Sequence, residues 1–329
     1  MRIVFWMCLI AFACQLPQRD ENQKPSSHND YAQLFALHTE NSDTSLYIFI
    51  GTDTIRVQKK SSPTFCLGST TQWGYFHVLE LEERISGMTF PNTIQNPDFQ
   101  SQYVANGKIK DLQINGAEMD WEWLLTHPAD FYLFSPFDEN PCARLGQSDM
   151  TCIPFCDYLE SHPLGRLEWI KVIGWLNGKY PSACAYFEKE KNQYESLIKS
   201  ASNESVLIGS FDGGQFWINS NKSHIHQIIK DSGHLTILNP NSGNTPLDQE
   251  QIWEILPKVQ HLILIGTEMQ QYQASQQLQE WKQRFGIHGY YINTNSTGYF
   301  EMGPLQPSVL LKNLSELTSM QNGFIQKID

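Results

Sequence analysis

The sequence predicts an α/β fold of two Rossmann-like lobes with parallel sheets, joined by a long backbone α-helix. Three observations lead to this prediction. Short apolar runs alternate with helical stretches in residues 45–163, and the same alternation returns in residues 202–329. Between them, residues 164–201 are the least strand-like part of the chain. Alternating strands and helices are typical of parallel sheets, so we expect an N-terminal lobe, linker helices and a C-terminal lobe.

Composition agrees with two folded lobes and excludes some functions. The chain has 329 residues, and 40% of them are hydrophobic, which is enough to build cores. Acidic side chains number 35 and basic ones 23, a formal net charge of −12. Lys and Arg are not concentrated anywhere, as phosphate contacts would require. We therefore expect no nucleic-acid partner.

The N-terminus has the pattern of an export signal. A positive start is followed by the apolar residues 3–13, too short a run to cross a bilayer, which needs about 20 residues. Ala11-Phe12-Ala13-Cys14 resembles a lipobox, so residues 1–14 are predicted to be a lipoprotein signal peptide that leaves Cys14 lipidated. The alternative is an ordinary signal with Cys14 incidental. Residues 15–44 are predicted to be a flexible tether. We expect the protein on the periplasmic or cell-surface side, anchored to the membrane by lipid.

Beyond Cys14 five cysteines remain, an odd number. Cys142, Cys152 and Cys156 are close in sequence, and in an oxidising compartment one disulfide among them is plausible. A metal site is less favoured, because Cys152 and Cys156 lack a second pair of ligands at zinc-finger spacing. Most of these thiols are expected to be small buried hydrophobes.

The individual elements follow from apolar runs and helix signals. A hairpin is predicted around the turn at residues 51–53. Buried parallel strands are predicted at residues 64–67, 85–88, 131–134, 151–154, 206–209, 261–265 and 287–291. Helices are predicted at residues 70–79, 121–126, 182–200, 223–230, 249–256, 271–284 and 307–317. The helix at 182–200 is expected to begin after Pro181 and to form the rod between the lobes.

A weak repeat occurs once in each lobe. Residues 120–128 and residues 248–257 both read as an acidic residue, a glutamate two positions later, a short amphipathic helix, a proline and then a buried strand. Helix capping explains this pattern by itself, because Asp at an N-cap and Glu in the first turn suit the helix dipole.

Enzyme signatures are scarce. The sequence contains no G-x-G-x-x-G, Walker, H-E-x-x-H or G-x-S-x-G motif. His224 and His226 fall on different faces of a predicted helix, so they are not expected to chelate a metal. We therefore predict that the protein is not an enzyme and carries no catalytic residues, resident metal or cofactor.

Candidate ligand contacts follow the predicted strands. Parallel sheets bind ligands beyond the carboxyl ends of their strands. Aromatic side chains at two such edges that face each other predict a cleft between the lobes for a flat or bulky, partly apolar ligand. Some of these rings are also expected to pack inside the lobes. The candidate ligand-binding residues are Ser69, Phe90, Phe137, Tyr158, Phe216, Trp217, Tyr299 and Phe300.

The order of several motifs resembles the class III periplasmic substrate-binding proteins, the receptors for iron–siderophore, haem and cobalamin uptake by ABC transporters. The motifs are Gly87-Met88-Thr89-Phe90-Pro91, Asp120-Trp121-Glu122, Pro128-Ala129-Asp130 and Pro163-Leu164-Gly165-Arg166-Leu167-Glu168-Trp169. The resemblance implies a monomer that binds a metal chelate carrying iron or cobalt. It also implies delivery of that chelate to an ABC permease and its ATPase.

The resemblance also implies roles for particular residues. Glu122 and Glu250 match the glutamates that dock on the permease, and Phe90 and Trp217 match ligand-contacting aromatics of the cobalamin receptor. Two other aromatic positions of that receptor fall near residues 116 and 244, which are Gly and Asn here. This departure argues against carrying over cobalamin specificity from the resemblance.

Ligand and function alternatives remain at this stage. For haem, an axial tyrosine such as Tyr158 or Tyr299 is the candidate ligand to iron. The stiff linker helix predicts little lobe closure on binding. One alternative function is a surface-anchored metal-chelate scavenger or sensor that hands its ligand to an outer-membrane partner. Another is an extracytoplasmic enzyme that acts on the chelate.

Overall fold

A computed structural model describes residues 29–40, 43–116, 118–136, 141–146, 148–212, 214–241, 243, 245–317 and 323–328. Within those ranges, no helix combines the length and the apolar character that a bilayer span requires. The predicted signal peptide and Cys14 lie outside the described residues, and so does the candidate ligand contact Phe137.

The described chain begins with a three-stranded antiparallel sheet of β1 (Phe35–Glu40), β2 (Asp43–Ile50) and β3 (Asp53–Val57). The predicted hairpin of β2 and β3 is confirmed. Strand β1 was not predicted, and it pairs with β2 from Phe35 to Glu40. The prediction of a tether through residue 44 is therefore wrong for this part, because Phe35 and Leu37 are buried in the core.

Two buried glutamates explain why the chain before β1 is ordered: Glu160, just before the linker, and Glu168, within it. The backbone N–H groups of residues 30–32 donate to the Glu168 carboxylate at 2.8 to 3.0 Å. Those of Gln33 and Leu34 donate to Glu160 at 2.9 to 3.1 Å. Glu168 also pairs with the buried Lys171. A carboxylate buried this deeply needs such partners, and the N-terminal segment supplies them.

The N-terminal lobe contains a five-stranded parallel sheet. Its strands are β4 (Phe65–Leu67), β5 (Ile85–Met88), β6 (Lys110–Asp111), β9 (Phe131–Phe134) and β10 (Thr151–Pro154), in the order β10-β9-β4-β5-β6. A small hairpin lies between β6 and β9 and consists of β7 (Gln113–Ile114) and β8 (Glu118–Met119). The helices of this lobe are α1 (Trp73–Val78), α2 (Pro97–Phe99), α3 (Trp121–Thr126) and α4 (Cys142–Leu145).

Three helices link the lobes: α5 (Pro163–Glu168), α6 (Ile170–Leu176) and α7 (Tyr180–Ser196). The predicted long helix is α7, but it begins before Pro181 and ends at Ser196. Pro181 fits in the first turn because its missing N–H would have no helical partner there. With 17 residues, α7 is about 26 Å long.

The C-terminal lobe contains a mixed sheet. Its strands are β11 (Ser205–Asp212), β12 (Gln215–Ile218), β13 (Leu235–Thr236), β14 (Thr245–Leu247), β15 (His261–Gly266), β16 (His288–Asn293) and β17 (Gln326–Lys327). The order is β14-β12-β11-β15-β16-β17, with β13 paired to β11. The helices are α8 (His224–Asp231), α9 (Gln249–Ile255), α10 (Glu268–Phe285), α11 (Tyr299–Met302) and α12 (Pro307–Ser315).

The predicted two-lobed α/β fold with linker helices is confirmed, with one difference in the C-terminal sheet. Strands β11, β15 and β16 are parallel, as expected, and β13, which was not predicted, also runs parallel to β11. The strand predicted at 206–209 continues to Asp212, and β12 then returns antiparallel beside it. The positions expected in a loop after that strand therefore lie in a hairpin.

Candidate functional site

A cleft of about 520 Å³ opens at the carboxyl ends of β11, β15 and β16. Because these strands are parallel, their last residues meet at one edge of the sheet, the place where such sheets bind ligands. Its aromatic residues are Phe211, Trp217 and Phe300. The other residues that line it are Gly209, Ser210, Asp212, Ile218, Asn219, Ile265, Gly266, Thr267 and Thr294.

Trp217 is held in the cleft by the strand that carries it. It pairs with Ser210 of β11 on one side and with Pro246 of β14 on the other. Its indole Nε1 is buried and has no hydrogen-bond partner among the described residues. A buried donor without a partner is unfavourable, so an acceptor on a bound ligand would stabilise this site.

Phe216 faces the opposite side of the same strand. Successive side chains of a strand point to opposite faces, and Phe216 is only 1% exposed. Its ring lies 5.8 Å from that of Trp281 and 5.1 Å from that of Phe211. The structure therefore places Phe216 in the core of the lobe, so it is not a ligand contact.

Phe300 and Tyr299 are neighbours in α11 but face different surroundings. Phe300 is 45% exposed and lines the cleft. Tyr299 is buried, and with Arg166 and His224 it lines a separate cavity of about 20 Å³ against the linker. Burial raises the pKa of the Tyr299 hydroxyl, with Arg166 opposing the shift. Of these two predicted contacts, only Phe300 is in the cleft.

The predicted contacts of the N-terminal lobe lie at one edge of its sheet. Ser69, Phe90 and Tyr158 follow the carboxyl ends of β4, β5 and β10. The Ser69 hydroxyl accepts a hydrogen bond from Thr71 N at 3.3 Å and so caps a short helical turn. Burial raises the pKa of the half-buried Tyr158. None of the three is among the residues that line the cleft of the C-terminal lobe.

Phe90 has an unusual backbone. Its φ is +52° in the left-handed region, and its side chain is 43% exposed. A residue other than glycine rarely adopts this conformation, and such strain is concentrated at functional sites. Phe90 therefore keeps its place as a candidate contact on the N-terminal side.

Glu122 and Glu250 occupy equivalent positions in the two lobes. Each is exposed in the first turn of its helix, α3 or α9. Asp120 caps α3 by accepting from Trp123 N at 3.0 Å, and Asp248 caps α9 by accepting from Gln251 N at 2.8 Å. Each helix precedes a parallel strand and runs back along the sheet, so its first turn lies on the side where the strands end.

The electrostatics of the cleft are simple. Asp212, an exposed carboxylate, is the one charged group among the described lining residues, and none of them is His, Cys, Tyr, Lys or Arg. The polar groups are an amide and hydroxyls, and the Thr294 hydroxyl donates to the Gly266 carbonyl at 3.1 Å. These residues offer no set of strong ligands to a bare transition metal, so a metal in this cleft must arrive already chelated.

The two histidines of α8 have other partners. Arg166 approaches His224 Nε2 at 3.3 Å, and His226 is hydrogen-bonded to the Thr236 hydroxyl. Burial is the main reason that the pKa of His224 falls to about 3, and the nearby Arg166 guanidinium adds to the effect. The two rings thus have separate surroundings, in agreement with the prediction that they do not chelate one metal.

Solved structures with the same architecture are binding proteins. A periplasmic binding protein of Veillonella parvula aligns with a TM-score of 0.64 at 13% identity, over 87% of this chain and 97% of that one. The petrobactin-binding protein YclQ of Bacillus subtilis aligns with a TM-score of 0.63 at 14% identity, over 84% and 99%. The chain has the class III periplasmic binding protein fold. The haem-binding protein HutB of Vibrio cholerae shares this fold, with a TM-score of 0.60 at 15% identity over 79% and 100%.

Sequence comparison adds a relative whose match spans only part of each chain. An uncharacterized lipoprotein, MJ0878 of Methanocaldococcus jannaschii, is 28% identical over 102 residues. The match covers 30% of this chain and 24% of that lipoprotein. No protein-family model matches the chain.

Proposed function

We propose that the protein is the substrate-binding component of an ABC importer. It binds a bulky metal chelate in the cleft and delivers it to the permease without changing it chemically. The observation that carries this proposal is the ≈ 520 Å³ cleft with Trp217 and Phe300, at the sheet edge where this fold is suited to bind ligands. Solved structures of this fold include siderophore-binding and haem-binding proteins, which supports the ligand class.

The charge of the cleft narrows the class of chelate. A ferric tricatecholate carries three negative charges, and recognition of it calls for basic groups. The described cleft residues offer instead the carboxylate of Asp212 and neutral hydroxyl and amide groups. Aromatic walls and neutral polar groups suit a neutral or cationic chelate, such as a ferric trihydroxamate or a corrinoid.

Haem fits the described residues less well. Its two propionates are anionic, and its iron takes an axial side chain from the protein. Tyr299 is buried against Arg166 in the linker-side cavity, so it is not available to a ligand in the cleft. Of the two candidate axial ligands to haem iron, Tyr158 remains, and it lies at the edge of the N-terminal lobe.

Glu122 and Glu250 are proposed to dock on basic groups of the permease. Both are exposed, one on each lobe, so they present two separated negative charges to a partner. Charge reversal, E122K with E250K, is expected to leave chelate binding unchanged and to abolish uptake into vesicles that contain the cognate permease. If uptake survives both reversals, docking through these residues is wrong, and the scavenger or sensor alternative is favoured.

The proposal places the protein outside the cytoplasm, held by lipid on Cys14 and acting as a monomer. The name of the lipoprotein relative supports the anchor. Radiolabelled palmitate is expected to label the wild type in cells and to leave C14S unlabelled. Labelling of C14S would contradict the assignment of Cys14.

Ligand binding is tested by titrating the purified protein with a neutral ferric trihydroxamate, cyanocobalamin, a ferric tricatecholate and haemin. Tryptophan fluorescence is followed, with W217F as the control that separates the cleft signal from that of the other tryptophans. We expect saturable binding of the trihydroxamate or the corrinoid, with a smaller signal change in W217F. A flat response to all four compounds would contradict the proposal. Preference for the tricatecholate would contradict the charge argument.

A further inference from the structure

Three side chains that can bind a metal ion lie at the opposite end of the C-terminal sheet from the cleft. Glu204 directly precedes β11, His234 precedes β13, and His261 is the first residue of β15. These three strands are parallel, so their first residues meet at one edge, away from the edge that bears the cleft. The ligand atoms of the three side chains all lie within 4.8 Å of one another.

The distances in this group fit a shared metal ion better than hydrogen bonds. Glu204 Oε2 lies 3.7 Å from His234 Nε2 and 3.5 Å from His261 Nε2. Both distances exceed the usual 2.7 to 3.2 Å of a hydrogen bond, so the direct contact of the rings with the carboxylate is weak. Two tetrahedral ligands on Zn²⁺, each about 2.0–2.1 Å from it, are separated by about 3.4 Å. Small side-chain adjustments would therefore bring these atoms to coordination distance.

Hydrogen bonds at Nδ1 orient the rings of His234 and His261 so that each Nε2 faces the Glu204 carboxylate. The Ser232 hydroxyl donates to the Ile229 carbonyl at 2.7 Å, so its oxygen accepts from His234 Nδ1 at 2.8 Å. That arrangement puts the proton on Nδ1 and leaves the lone pair on Nε2. His261 Nδ1 is similarly hydrogen-bonded to the Tyr290 hydroxyl at 3.3 Å. Metal-bound histidines use their other nitrogen in this way.

We propose that Glu204, His234 and His261 form a binding site for one divalent transition-metal ion of the zinc class. The two imidazole Nε2 atoms and the carboxylate supply three ligands, and the fourth position is open to water. The ion enters from solvent, because the Glu204 side chain is 54% exposed while His261 is buried. By joining the beginnings of β11, β13 and β15, the ion stabilises the C-terminal lobe. The site is separate from the cleft and does not depend on the proposed transport function.

His288 provides a matched control beside the site. Its ring stacks on His261 with centroids 5.4 Å apart, and it begins the next strand, β16. It is exposed and is not part of the three-residue group. Replacement of His288 therefore changes the surroundings of His261 without removing a proposed ligand.

The test is calorimetric titration of chelator-stripped protein with ZnCl₂, together with thermal unfolding with and without Zn²⁺. Wild type and H288Q are expected to bind one equivalent and to unfold at a higher temperature with Zn²⁺. E204Q and H234Q are expected to bind at least about 10-fold more weakly, with circular dichroism verifying that they are folded. The proposal fails if wild type takes up no Zn²⁺. It also fails if E204Q and H234Q bind as wild type does, which would locate the ion elsewhere.

Discussion

The backbone of Gly74 in α1 packs directly against the carbonyl oxygen of Glu301 in α11, and a side chain at position 74 would collide with that oxygen. This contact joins the N-terminal lobe to the C-terminal lobe, and Leu305 lies beside it. Glu301 is in the same short helix as Phe300 of the cleft. Movement of the lobes is thereby coupled to the helix that carries Phe300, which lines the cleft. The contact supports the prediction of small lobe closure.

Substitution of Gly74 tests this contact. We expect G74A to lower the free energy of unfolding by about 1–3 kcal/mol, because the added methyl group forces backbone or side chains apart. The higher helix propensity of Ala works in the opposite direction, by up to about 1 kcal/mol. Urea unfolding measures the difference. A variant as stable as wild type would show that the two lobes are not tightly packed at this point.

Replacement of Glu168 tests how the N-terminal segment is held. E168A removes the acceptor of the backbone N–H groups of residues 30–32 and leaves the buried Lys171 without its partner. An uncompensated buried charge predicts a loss of about 3–5 kcal/mol in unfolding free energy. The control E188A removes an exposed carboxylate that pairs with Lys191, with an expected loss below about 1 kcal/mol. Equal losses in the two variants would contradict the role of Glu168.

His224 makes stability depend on pH. Its folded pKa is about 3, below the unfolded value of about 6.5, because of burial and the neighbouring Arg166. Between these values the unfolded state binds more protons, so stability falls as the pH drops from about 6.5 toward 3. The expected slope reaches about 1.4 kcal/mol per pH unit. Urea unfolding across this range should show a shallower slope in H224Q, and identical slopes would contradict the assignment.

Cys142 and Cys152 are predicted to form a disulfide when the protein is exported. Their thiols are hydrogen-bonded to each other, and this contact lowers the pKa of Cys142. Cys156, the third candidate of the sequence prediction, is buried separately. Reduction is expected to cost about 2–3 kcal/mol of stability, and C142S should abolish this effect while C156S keeps it. Peptide mapping without reductant that finds both thiols free in exported protein would contradict the pairing.

Apolar runs and helix-cap signals, which are local in the sequence, predicted most of the strands and helices. The strands at 85–88, 131–134 and 151–154 match the structure to the residue, because continuous apolar runs are typical of parallel strands buried on both faces. The helix at 121–126 was equally clear from Asp120 at its N-cap. The tether prediction is wrong for residues 30–34 because the acceptors of their backbone N–H groups, Glu160 and Glu168, are more than 120 residues away in sequence.

The sequence predicted a ligand cleft between the two lobes, whereas the described cleft is lined by residues of the C-terminal lobe alone. Trp217 and Phe300, chosen by the rule that ligands bind beyond strand ends, both line this cleft. The same rule, applied to polar residues, would have found Thr267 and Thr294, which directly follow β15 and β16. Phe216 was misassigned because the hairpin of β11 and β12 was not recognised. Asp212-Gly213-Gly214 carries the signal for that turn, and Gly214 has a φ of +79°.

The most direct test of the central claim is the dissociation constant of the best-bound chelate for wild type and F300A. Phe300 is exposed in the cleft, so its removal should leave the fold intact. The account predicts binding about 10- to 100-fold weaker in F300A, because the lost ring buries apolar surface against the ligand. I198A, which removes an exposed side chain just beyond the end of α7, should bind as wild type does. Equal dissociation constants for wild type and F300A would contradict the assignment of this cleft as the binding site.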